Sequence, residues 1–142
     1  MKSKAVVWLW VLALVVPLLC VVGGDWLFAN LTARPGRFMR EPDVSMMQSI
    51  IVALPFVFLA GVAPLQLRRH PAAGPRALAL AAAIGFVVTA AIWGMYYYDG
   101  YLYWKNGRTS GANIGAGLLM LASPVIVGLL MTLAFRLSPT PK

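Results

Sequence analysis

Four carboxylates, Asp25, Glu41, Asp43 and Asp99, are the only acids in a chain of 142 residues. They fall in two segments that also carry Arg34, Arg37, Arg40, Lys105 and Arg108. Carboxylates beside guanidinium groups could assemble a site for a phosphate-bearing substrate, because Arg grips phosphate through paired N–H donors. No spacing among them sets a nucleophile beside a general base, or two carboxylates as a metal pair. Solvated ion pairs are the simpler reading. The chain has one cysteine, Cys20, and one histidine, His70. An intrachain disulfide, a Cys/His zinc cluster and a haem held by two of its own histidines are therefore excluded. No metal or cofactor is expected. Cys20 follows Pro17-Leu18-Leu19, where a lipoprotein-type acylation site would want small residues, so it reads as a small buried hydrophobe.

The aromatic residues form a second constellation. All five tyrosines lie between Tyr96 and Tyr103. With Trp93, Trp104, Lys105 and Arg108 they make a run that suits the headgroup level of a bilayer, where Tyr and Trp collect. The same run could serve as a binding platform for a lipid, a sugar or a partner protein, with Trp93, Tyr97, Tyr98, Asp99, Tyr101, Tyr103, Trp104, Lys105 and Arg108 as its residues. Asp99-Gly100 and Asn106-Gly107 are hairpin-turn signals. They predict that a helix ends near Tyr98 and that a small two-stranded hairpin follows over Tyr101 to Thr109.

The medium that must position these groups follows from composition. The chain is 61% hydrophobic and 11% charged, against about 45–50% and about 25% in soluble domains. Too few charges remain to coat a water-facing surface, and disorder requires low hydrophobicity. An integral membrane protein remains. The basic residues are scattered between apolar runs without a continuous stripe, so a nucleic-acid partner is not expected despite a net charge of +8.

A helix needs about 20 mostly apolar residues to cross the hydrocarbon layer. Four runs qualify: about 5–23, 48–67, 77–98 and 112–135. They predict a single all-α domain over residues 1–142, a four-helix transmembrane bundle with an aromatic extracytoplasmic loop. Lys2 and Lys4 before Ala5 resemble the start of a signal peptide, but the apolar stretch is longer than the usual one, so an uncleaved span is expected. Proline inside the runs is tolerated in lipid. Kinks are expected near Pro17, Pro55 and Pro124, and Pro64 is expected to end the second helix. The segment from Gly24 to Met47 opens Asp25-Trp26-Leu27-Phe28. It is too apolar for a tether, which predicts an interfacial or re-entrant piece, with Asp43 placed to cap the second span.

Basic residues set orientation. Lys2, Lys4, Arg68, Arg69, Arg76, Arg136 and Lys142 fall on one side, and Arg34, Arg37, Arg40, Lys105 and Arg108 on the other. All four acids also fall on the second side. Both termini are therefore expected in the cytoplasm, with residues 68–76 against anionic headgroups. The alanine-rich composition suggests a bacterial inner membrane.

Close backbone approach, not apolar side chains, joins helices in lipid. Ala81 with Gly85, Ala90 with Gly94, and Gly111 with Gly115 provide small-residue pairs, with Ala112 and Ala116 beside the last. The third and fourth helices should therefore touch each other or a second copy, while the bulkier first and second face lipid. Gln48, Ser49, Thr89, Asn113, Ser123 and Thr132 are the polar residues within the runs, and Asn113 is the best placed to bond across helices. None is charged. Ion-coupled transporters usually carry an intramembrane ionisable group. Small multidrug transporters share this size and span number but depend on an acid within the first span; here the first acid, Asp25, stands at its outer end, and the chain departs from their pattern.

Three functional readings follow. The first is a non-enzymatic membrane protein acting on a partner protein or lipid: an accessory subunit, assembly factor or immunity-type protein using the outer aromatic loops and the small-residue face. The second is a small oligomeric transporter or channel. The third is a lipid-modifying enzyme using the outer carboxylates.

Overall fold

The computed structural model describes residues 2–32, 42–69, 71, 74–106 and 114–137. Every regular element among the described residues is a helix. α1 (Lys2–Pro17) passes through a π-helical turn (Leu18–Gly23) directly into α2 (Gly24–Leu31), followed by α3 (Pro42–Arg69), α4 (Gly74–Lys105) and α5 (Ile114–Leu137). Gly23 and Gly24 keep right-handed helical angles, so α1, the π turn and α2 form one rod. Four helices are then long and apolar enough to cross a membrane: Val6–Leu31, Ser45–Arg69, Gly74–Lys105 and Gly117–Leu137. They fit a small multi-pass integral membrane protein.

The helices are longer than the apolar runs. The first does not stop at Gly23 but continues to Leu31, closed by the Thr32 N–H and Oγ1, which both donate to the Phe28 carbonyl at 3.0 Å. The second begins at Pro42, the first helical position where a missing N–H is harmless, so the two helices take in residues 24–31 and 42–47 of the segment expected to lie along the interface, and 33–41 lie outside the described residues. It also runs past Pro64 to Arg69. That proline removes one N–H donor, while the surrounding turns keep theirs.

The largest correction concerns the aromatic segment. α4 does not end near Tyr98, and 101–105 is helix rather than the first strand of a hairpin. Asp99-Gly100 lies inside it. Gly100 serves packing there: a Cβ would stand 3.2 Å from Cζ of Phe28. Beside apolar surroundings, an unbroken run of i→i−4 bonds leaves fewer bare backbone groups than a turn would. Residues 107–113, which hold Arg108, Gly111 and Asn113, lie outside the described residues.

The bundle is a diamond rather than a square. α3 and α4 sit at its centre, the first rod packs on one side and α5 on the other, and α5 does not approach the first rod among the described residues. The closest partnership is α4 with α5, as the small residues imply: Gly85 is buried, and a Cβ on it would come within 2.6 Å of Met131 Sδ. The second is α1 with α3. Leu9, Ala13 and Val16 of α1 and Val52, Phe56, Leu59 and Ala63 of α3 are buried in the core. The first two spans therefore carry a large share of the core, instead of facing mainly lipid. Close packing of apolar side chains gains dispersion contacts even where lipid is the alternative.

Candidate functional site

The first rod and α4 run alongside one another, and the seam between them opens into a groove of about 510 Å³ at the end where α2 and α4 terminate. The first rod contributes Leu19, Cys20, Gly24, Leu27, Phe28 and Leu31. α4 contributes Phe86, Ala90, Trp93, Gly94, Tyr97, Tyr98 and Tyr101. On α4 the spacing 90, 94, 97, 98, 101 is one helical stripe, because residues three and four apart share a face. The volume is that of a small-molecule site, about 300–1,000 Å³.

Tyr97 organises this seam. Its hydroxyl donates to the Val21 carbonyl at 2.8 Å. The Gly24 N–H donates to that same carbonyl. The ring packs 6.3 Å from Phe28 and 6.1 Å from Trp93, centroid to centroid. Tyr96 stacks edge-on to both Trp93 and Tyr97. The ring can come this close because position 24 has no side chain: a Cβ there would stand 2.7 Å from Tyr97 Cδ2. The π turn beneath is the local cause. Pro17 offers no N–H to the preceding turn, and the widened π turn just beyond it re-aims the carbonyls.

Of the platform residues read from sequence, Trp93, Tyr97, Tyr98 and Tyr101 come together on the groove. Asp99 and Tyr103 are half-buried and do not line it, while Trp104 and Lys105 are exposed. Tyr101 and Trp104 stack 5.9 Å apart. Lys105 lies one turn beyond Tyr101 on α4. Arg108 lies outside the described residues, as do Arg34, Arg37, Arg40, Glu41 and His70. Among the small residues, Ala81 and Gly85 are buried between helices. Gly94 has nothing within 4 Å of a Cβ and forms the floor of the groove instead. Gly115 is exposed.

Sequence reasoning misplaced Asp25. It stood as an acid at the outer end of the first span, yet its exposure is 0% and it lies inside the rod. Ser45 on α3 and Trp93 on α4 are buried at the same end of the bundle. A charged residue placed this way on a membrane helix is expensive and normally faces the bundle interior. It stands four residues from Val21 and from Ala29, both also buried, on a stripe that reaches the rest of the core only through the π turn. Among the described residues no three His, Cys, Asp or Glu side chains gather where they could hold a metal ion.

No protein-family model, curated protein or solved structure matches the chain.

Proposed function

We propose that this chain is a non-enzymatic membrane protein that works by holding a lipid chain in the aromatic groove between the first rod and α4. The observation that carries the reading is the groove itself: an apolar channel of small-molecule size, walled by Trp93, Tyr97, Tyr98 and Tyr101 and open on the outward face of the bundle. From Leu19 to Leu31 it runs about 18 Å along the helix axis, which suits an extended hydrocarbon chain better than a whole partner helix. Lys105, exposed one turn beyond Tyr101, supplies a cation at headgroup level. The acids do not form a catalytic cluster in this reading: Asp25 is sealed inside, and Asp99 sits off the groove.

The orientation follows the basic residues, with both termini cytoplasmic and the aromatic end outside. A bacterial inner membrane is the proposed setting, and an accessory or assembly role is the proposed biological use.

Photo-crosslinking in native membranes tests this. A photoreactive residue at Leu27 or Tyr98, both exposed on the groove, should give one discrete lipid adduct. The same group at Val87, exposed elsewhere on α4, should not. Equal lipid labelling at all three positions would refute the groove as a site. Capture of a single protein instead of lipid would assign the groove to a partner subunit.

A further inference from the structure

The opposite end of the bundle holds a second groove, between α3 and α5, of about 290 Å³. Pro55, Phe58, Leu59 and Val62 wall its deep part, and Gln66, Thr132 and Arg136 close it at the end where both helices terminate. We infer that it binds a bilayer phospholipid with an anionic headgroup, one acyl chain lying along the wall and the phosphate meeting Arg136 and Gln66.

The occupant follows from charge and length. The groove extends from Pro55 to Gln66, about 16 Å of helix rise, roughly half of the hydrocarbon thickness. An acyl chain of one leaflet has that reach. The headgroup sign follows from what surrounds the mouth. Arg68 and Arg69 are exposed at the end of α3, and Arg76 at the start of α4. Among the described residues the acidic positions belong to the other end: Asp25 in α2, Asp43 in the first turn of α3, and Asp99 in the last turns of α4. Among the described residues, the positive charge at Arg136 thus shares its end of the bundle with no acidic residue. A guanidinium fork facing a phosphate satisfies it with charge-assisted bonds, and basic recesses between membrane helices are where anionic headgroups settle. The Gln66 amide adds a donor beside it. Apolar chain space and a cation at its rim occur together here, which separates this recess from the diffuse attraction of any basic loop.

The test uses the full chain in nanodiscs of phosphatidylglycerol and phosphatidylcholine in equal parts with matched acyl chains. Native mass spectrometry then counts the lipids that stay bound. The intact protein should retain phosphatidylglycerol over phosphatidylcholine by about fivefold, the worth of one well-placed cation at a membrane surface. Arg136→Gln should bring that ratio to near unity. Arg76→Gln, basic at the same end but not lining the groove, should leave it unchanged. Gly128→Leu should lower retention of both lipids, because a Cβ at Gly128 meets nothing within 4 Å and the side chain would enter the groove. No preference in the intact protein would overturn the inference. So would a preference that survives Arg136→Gln, or one lost equally in both arginine variants.

Discussion

Gly24→Ala should change sign with its background, and this isolates what the Tyr97 seam does. In the intact protein the new Cβ would stand 2.7 Å from Tyr97 Cδ2 and 3.0 Å from Cζ. Ordinary carbon contacts lie at about 3.5–4.0 Å, so the ring must retreat by about 1 Å. It is held by its hydroxyl on the Val21 carbonyl and by Phe28 and Trp93 on its faces. Overpacking of this kind costs about 1–3 kcal/mol. Breaking the interhelical hydrogen bond adds about 0.6 kcal/mol in a bilayer. Alanine in place of glycine returns about 1 kcal/mol of helix propensity. The net is a loss of about 1–2 kcal/mol. In a Tyr97→Ala background the clash and the bond are already gone, so Gly24→Ala should stabilise by up to about 1 kcal/mol. The coupling between the two positions is then about 2–3 kcal/mol, the upper part of what contacting residues show. Steric trapping or reversible detergent unfolding of the four proteins measures it. If the two substitutions add to within about 0.5 kcal/mol, Tyr97 does not rest on Gly24 and the seam described above is wrong.

Tyr97→Phe keeps the ring and removes only the donor, so the same measurement should show a loss of about 0.6 kcal/mol. Gly85→Leu should destabilise the α4–α5 contact by about 1–3 kcal/mol, because Met131 already fills that space. Gly94→Leu should leave stability unchanged while abolishing the lipid adduct at Tyr98; matched losses in the two glycine variants would contradict the assignment of one to packing and the other to the groove. A cysteine at position 105 should react with an impermeant maleimide in intact cells, and one at position 69 only after permeabilisation; the reverse pattern would invert the proposed topology. Deleting Leu18, within the π turn, should leave a folded, monodisperse protein, whereas deleting Leu80, exposed in a regular stretch of α4, should not, as read by gel filtration and thermal unfolding.

The spans were legible because the count that makes a helix cross a bilayer is local. Twenty apolar residues declare themselves without reference to the rest of the chain. The aromatic run stood out because Trp93, Tyr97, Tyr98 and Tyr101 differ in type from their surroundings, but the helical stripe that carries Tyr101 beside Tyr97 was hidden by the expected end of the helix near Tyr98. The facing wall of Leu19, Gly24, Leu27, Phe28 and Leu31 was not legible, because nothing in those residues names a partner some seventy positions away. Asp99-Gly100 misled for a related reason. The pair signals a turn where water can hydrogen-bond the bared backbone. Against Phe28 the same glycine is more useful as a flat patch of helix. Gly94 carried the same small-residue signature as Gly85, and only the placement of α5 separates the packed one from the open one.

The phase of the first rod explains why Asp25 was hidden from a periodicity argument. Leu9, Ala13, Val21, Asp25 and Ala29 are all buried and lie four, or twice four, residues apart. At about 100° per residue, Leu9 and Ala29 on an uninterrupted α-helix would point about 200° apart, so one end of the rod would bury its stripe and the other would offer it to lipid. A π turn takes up one residue more than an α turn and so removes about 100° of that divergence. The remaining rotation matches a change of neighbour: α1 packs chiefly on α3, while α2 packs on α4. The widened turn after Pro17 therefore hands the buried stripe from one partner helix to the next. It brings Val21 and Gly24 to Tyr97 and turns Asp25 inward. The groove and the buried acid are two consequences of the same local change in helix pitch.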